Sequence, residues 1–123
     1  MAVQTAESGH FRPVGSNGYY VRGGLRANFD QQPIEAWASV AACVEAWQAT
    51  RDKSWMSEAS RAFEWFLGRN DLGLPLYDAT SGGCFDGLQV DRVNFNQGAE
   101  STLSFLLSLQ EMRRIESTLE TFP

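Results

Sequence analysis

Residues 33–68 read PIEAWASVAACVEAWQATRDKSWMSEASRAFEWFLG, and this stretch decides the fold class. From Pro33 to Thr50 the apolar positions Ile34, Trp37, Ala38, Ala41, Val44 and Trp47 recur at intervals near three and four, the spacing that lines up side chains along a helix. The segment is rich in alanine, the strongest helix former, and Pro33 suits a first helical turn, where its missing N–H is not needed. After Thr50-Arg51-Asp52 the pattern resumes through Trp55, Met56, Ala59, Ala62, Phe63, Phe66 and Leu67 and stops at Gly68, with Asp52 or Ser54 available as N-cap. So short a link predicts an antiparallel helix hairpin.

On the N-terminal side, residues 1–29 are interrupted by Gly9, Gly15, Gly18, Gly23 and Gly24 and read mostly as loop, with a short extended piece around Tyr19 to Val21. On the C-terminal side, Leu72 to Val93 contains Gly73, Pro75, Gly82, Gly83 and Gly87, too many breakers for a helix, and predicts a long loop with a small β-hairpin. A third helix is expected from Gln97 to about Glu116. Its apolar residues Leu103, Phe105, Leu106, Leu107, Leu109 and Met112 cover more than one stripe, which implies burial on more than one side. The chain of 123 residues thus reads as one mainly α domain: a helix hairpin plus a third helix, with a helical portion over 30–116 and a long loop over 70–95. Three helices cannot easily bury this apolar surface and four Trp. Either the loops pack over the helices, the chain self-associates, or it is one part of a larger fold.

Fifteen acidic against ten basic residues give a net charge of −5, which disfavours nucleic acid because phosphate neutralisation needs clustered Lys and Arg. Apolar runs fall far short of the ~20 residues that span a bilayer, and the N-terminus lacks a signal-peptide pattern, so no membrane partner and a cytoplasmic location are expected. Two widely separated cysteines indicate neither a disulfide framework nor a zinc site, and Cys43 reads as a core filler. No cofactor and no metal are expected. Asp78, Asp86 and Asp91 with loop carbonyls are the alternative that would suit calcium.

Two polar stretches lead into helices: DQQPIEA over 30–36 and GGCFDGLQVDRVNFNQGAEST over 82–102. Asp86, beside Gly87, reads either as a carboxylate approached by sugar hydroxyls or acting as acid or base, or as a turn residue bonding its own backbone. Glu100 lies where a helix dipole favours negative charge, so it suits an acceptor role; the alternative is a capping box with Gln97. Asn96 is a natural N-cap. Asp30 and Glu35 flank Gln31, Gln32 and Pro33, and because Gln caps poorly, Gln31 or Gln32 points at a ligand or into a buried network. His10 is the only histidine, so a Ser-His-Asp arrangement would have to use it. Gly15-Ser16-Asn17-Gly18 lacks the Lys and following helix of a phosphate loop. The four Trp read as packing residues, with Trp65 the exception because it lies off the Ala59, Phe63, Phe66 face.

The runs DQQPIEA, AFEWFLGRNDLGLPLYD, TSGGCFDGL and VNFNQGAESTLSFLLSL resemble the C-terminal portion of a bacterial six-hairpin glycosidase-like domain, over roughly Gly9 to Met112. The resemblance implies a partial (α/α) toroid of the type found beside or fused to glycosyltransferases. It also implies a sugar site near Asp30, Gln32 and Glu35 on one loop and Asp86, Asn96 and Glu100 on another. This chain departs from the pattern in having about three helices instead of six hairpins. If it is active, glycosidic cleavage would use Asp86 with Asp30 or Glu35, at ~5–5.5 Å for retention or ~6.5–9.5 Å for inversion, with Gln32, Asn96, Glu100 and Trp65 binding substrate. The alternatives are a non-catalytic sugar-binding or assembly module, a structural piece of a glycosyltransferase-associated protein, or polar helix entrances that only stabilise the fold. Exposed faces of a cut ring would require a homo-oligomer or association with the rest of a toroid.

Overall fold

A computed structural model describes residues 2–121, with side chains as far as Ser117; residues 1, 122 and 123 of the expected domain lie outside the described residues. The chain is mainly α, a small bundle of three helices: α1 (Pro33–Thr50), α2 (Ser54–Glu64) and α3 (Ala99–Thr121). The helix α1 packs against both α2 and α3, which also touch each other. Between α2 and α3 lies one antiparallel hairpin, β1 (Gly87–Leu88) and β2 (Val93–Asn94), pairing Gly87 with Asn94 and Leu88 with Val93.

The first helix has the expected bounds. Pro33 occupies its first turn, and Gln32, in extended conformation, supplies no side-chain cap. The helix ends at Arg51, whose left-handed backbone (φ 59°) lets its N–H donate to the Trp47 carbonyl, while its guanidinium lies 5.2 Å from the centre of the Trp47 ring. The buried face is Ala36, Val40, Cys43, Val44 and Trp47. It is rotated from the expected one: Ile34 and Ala38 are exposed, and Trp37 and Ala41 are half-buried. In a helix with alanine on every side, spacing alone does not select the face.

Neither Asp52 nor Ser54 is the N-cap of α2: Lys53 holds that position without a side-chain cap bond, and Asp52, one residue earlier, accepts the Ser54 N–H at 3.0 Å. The helix does not stay regular to Leu67; Trp65–Leu67 tighten into a 3₁₀ turn that stops at Gly68, whose φ of +112° suits glycine alone. Asn70 holds the chain that follows. Its amide donates to the Trp65 and Leu74 carbonyls, and its oxygen accepts from the Leu72 and Leu74 N–H groups.

The third helix begins two residues later than Gln97 and continues past Glu116. Phe105 is its main anchor, stacked on Tyr77 at 4.4 Å and meeting Phe66 edge-on at 5.4 Å. Ser101, Ser104 and Ser108 also face inward. The Ser104 and Ser108 hydroxyls donate to the carbonyls four residues earlier, so they are satisfied within the helix and permit close packing. Leu103, Leu106 and Leu107 point outward, opposite to the expectation that this helix is buried on more than one side.

Residues 2–29 do pack over the helices: Phe11 and Pro13 are fully buried. No strand forms over Tyr19–Val21. Tyr20 makes only an isolated bridge to Arg26, and all three side chains are exposed, because no neighbour covers this tip. None of the described helices is long and apolar enough to cross a membrane.

Candidate functional site

The two polar entrances meet. Gln31, the residue before Gln32, exchanges both backbone hydrogen bonds with Leu88 at 2.8 Å, which fastens the start of α1 to β1. From the same hairpin Asp86 reaches the start of α3, where its Oδ1 accepts the Gly98 N–H at 2.7 Å. The two helix N-termini therefore open onto one cleft of about 390 Å³, lined by Gln32, Pro33, Asp86, Asn94, Glu100 and Ser101 together with Gly98 and Ala99.

Glycines make this convergence possible. A Cβ on Gly87 would stand 2.9 Å from the Gln31 carbonyl oxygen, and one on Gly98 would stand 3.0 Å from Asp86 Oδ1. These glycines admit neighbouring chain, so close approach is a property of the scaffold before it is one of any ligand.

Of the residues read from sequence, Gln32, Asp86 and Glu100 come together in the cleft, and Asp30, Glu35, Asn96 and Trp65 do not line it. Asp30 is half-buried, and its carbonyl accepts the Ser16 N–H. Glu35 is exposed in the first turn of α1. Asn96 is not the α3 cap, since the helix begins at Ala99 and Gly98 precedes it; Asn96 contributes its carbonyl to the Asp86 N–H at 2.8 Å. Gln97 does not pair with Glu100. Its side chain joins Asp78 and Ser81 instead. Trp65 has no exposed surface, so it faces no ligand; its indole N–H donates to Gln31 Oε1 at 2.9 Å. Asn94 and Ser101 were missed, the first inside a strand and the second within an apolar helical run, where nothing in the local pattern sets them apart.

The cleft is rich in acceptors. Asp86 and Glu100 bring carboxylates, Gln32 and Asn94 bring amides, and Ser101 a hydroxyl, while the two helix starts contribute positive ends of dipoles. Such a set suits an uncharged ligand bearing many hydroxyl donors. The carboxylates it gathers are Asp86 and Glu100; the expected partners of Asp86 for acid–base work, Asp30 and Glu35, stand outside it.

Beside the cleft, Asp78 accepts from Thr80 N–H, Ser81 Oγ and Gln97 Nε2, and these bonds hold its carboxyl below the ordinary value. Among the described residues no three His, Cys, Asp or Glu side chains are grouped to hold a metal ion, Asp78, Asp86 and Asp91 included. A larger hollow of about 440 Å³ runs along α2, but its arginines, Arg61 and Arg69, are paired with Glu58 and Glu64.

A second polar cluster centres on Asp71. Arg12 donates to both its oxygens at 2.8 and 2.9 Å, Gln31 donates to Oδ2 at 2.8 Å, and His10 Nε2 lies 2.6 Å from Oδ1. Ser8 Oγ in turn lies 2.6 Å from His10 Nδ1. Ser8, His10 and Asp71 form a Ser-His-Asp chain, yet Asp71 is already neutralised by Arg12, and the neighbouring Gly9 N–H is engaged with the Ala6 carbonyl. The cluster therefore acts as a clamp, joining the N-terminal segment, the loop after α2 and the entrance to α1. Burial pulls the Asp71 carboxyl upward, but the bonds from Arg12, His10 and Gln31 and the charge of Arg12 outweigh it and hold the group below its usual range.

The two cysteines are buried and unpaired. Burial, with the nearby charge of Asp86, pushes the Cys84 thiol up to about 12, and burial likewise raises Cys43. Since the thiolate is the reactive form, a colorimetric disulfide reagent at pH 8 should leave both thiols unmodified in the native protein and titrate them fully in denaturant.

A comparison of the chain with protein-family models gives no match, and neither does a comparison with curated proteins.

Proposed function

We propose that the cleft between the α1 and α3 entrances binds a carbohydrate, and that the chain serves as a glycan-binding portion of a larger helical assembly of the toroid type. The observation that carries this reading is the meeting of Gln32 with Asp86 and Glu100, residues from two distant polar stretches gathered around one acceptor-rich cleft. Sugar hydroxyls donate to carboxylate and amide oxygens, and a charge-assisted bond of this kind contributes about 1.5–3 kcal/mol. Binding is favoured over cleavage because Asp30 and Glu35 are not in the cleft. A cytoplasmic location is part of the proposal, in keeping with two unpaired cysteines, since reducing compartments keep thiols free.

One observation favours a purely structural role for Asp86, its bond to the Gly98 N–H, and Asp86→Asn separates the two readings. Asparagine keeps an Oδ1 that can accept the same Gly98 N–H, so the variant should keep its melting temperature while losing oligosaccharide affinity by about tenfold or more. Titrating a panel of mono- and oligosaccharides while following the Gly98 and Ser101 amide resonances checks this. If no sugar moves those resonances in the wild-type protein, the binding reading is wrong and the entrances are structural.

A further inference from the structure

The third helix has its polarity reversed on one side. Inward, toward the bundle, it presents Ser101, Ser104 and Ser108 beside Phe105 and Ile115, while Leu103, Leu106 and Leu107 stand 55%, 46% and 38% exposed. A helix with one solvated side normally does the opposite. The three leucines fall at spacings of three and four, so they form one ridge, continued by Gln110.

The charges at the ends of the ridge say what fits it. Glu100 lies one turn before Leu103, and Arg113 one turn beyond Gln110; both are exposed. The ridge is therefore negative at its start and positive at its end. A second copy of the same helix laid antiparallel, with the twofold axis between Leu106 and Leu107, places Leu106 against Leu107, Leu103 against Gln110 and Glu100 against Arg113. A parallel pairing would instead set Glu100 against Glu100. Antiparallel pairing also opposes the two helix dipoles favourably, and twofold symmetry makes every such contact twice.

We infer that the outward ridge of α3 is the seam of an antiparallel homodimer, centred on Leu106 and Leu107 and closed at each end by Glu100 with Arg113 of the second copy. Because Glu100 also lines the cleft, the dimer brings a guanidinium from the second copy to the rim of each cleft. The inference does not depend on what the cleft binds.

Analytical ultracentrifugation of the full chain from about 1 to about 300 μM tests it. The wild type should reach twice the chain mass within that range. Leu106→Glu, which sets a charge near its own copy on the axis, should weaken association by on the order of 100-fold, and Arg113→Glu by on the order of tenfold, more so at low salt. The double variant Glu100→Arg with Arg113→Glu restores opposite charges and should recover the wild-type constant to within about threefold. Circular dichroism verifies that each variant is folded; if Leu106→Glu is not, the two charge variants at exposed positions carry the test. A wild type that stays monomeric to the highest concentration overturns the homodimer and leaves the ridge to a different polypeptide. A dimer that ignores Arg113→Glu, or a double variant that fails to recover, overturns the antiparallel register.

Discussion

Replacing Asp71 with alanine should destabilise the protein by about 3 kcal/mol, the lower end of the range for removing one member of a buried ion pair, because Arg12 keeps 29% of its side chain exposed, and should lower Tm by on the order of 10 °C. The size follows from what the substitution strands. Asp71 receives bonds from Arg12, His10 and Gln31, and Gln31 is completely buried, so its amide would keep the Asn28 carbonyl but lose its charged acceptor. The loss also spreads, because the other end of the Gln31 side chain holds the Trp65 indole. Denaturant unfolding of Asp71→Ala and the wild type measures the effect.

The same clamp sets a pH dependence. The Asp71 carboxyl is held below its usual value in the folded protein, so the unfolded chain takes up a proton at higher pH than the folded one does. The contribution of the clamp is fully present above the unfolded value of about 3.9 and is lost as pH falls through the lower folded value. Unfolding curves from pH 7 down to about pH 3 should show the wild type losing its advantage over Asp71→Asn only on the acid side of about pH 4. A constant difference across that range would remove Asp71 as its source.

Phe105→Ala should cost about 3–5 kcal/mol, the cost of truncating a buried aromatic to alanine. Phe105 touches three aromatic neighbours from separate parts of the chain, Tyr77 from the long loop and Phe63 and Phe66 from the region of α2. Without it, α3 keeps its inward serines but loses its only buried aromatic ring. Since the remaining inward contacts of the first two turns are small, the N-terminal part of α3 and the cleft should loosen first. Hydrogen exchange at the Gly98 and Ser101 amides should therefore accelerate more than at Val40 or Val44; uniform acceleration would place the weak point elsewhere.

The first two helices were legible because each has a local signal: proline at the start of α1, Asp52 before α2 and Gly68 after the 3₁₀ turn that ends it. The faces were less so. With alanines around α1, the spacing fits several faces, and the chosen one, through Ala36, Val40 and Cys43, depends on what α2 and α3 present. Leu103, Leu106 and Leu107 read as core because leucine normally is; only the packed structure reveals that the serines between them hold the inward side. Gln32, Asp86 and Glu100 could be singled out as polar groups at helix entrances, and the hairpin then brings those entrances together. Trp65, set apart from the other tryptophans by its helical position, is a core residue: it meets Phe66 edge-on, and Gln31, distant in the chain, takes its indole N–H. Asp71 left no trace, since its partners Arg12 and His10 lie 59 and 61 residues away.

The clamp at Asp71 has a bearing on covalent continuity. Tyr19, Tyr20, Val21 and Leu25 stand exposed at the tip of a turn, whereas the residues on either side of that turn are bonded to each other: Gly15 to Ala27, Ser16 to Asp30 and Asn17 to Phe29. A protease acting at Arg22 would meet an accessible peptide whose flanks are both fastened. The released N-terminal piece carries His10, Arg12 and the buried Phe11, so it has its own reasons to stay docked. A single cut at Arg22 should therefore leave the two pieces co-eluting on size exclusion, held by the backbone bonds at the base of the turn and by the clamp.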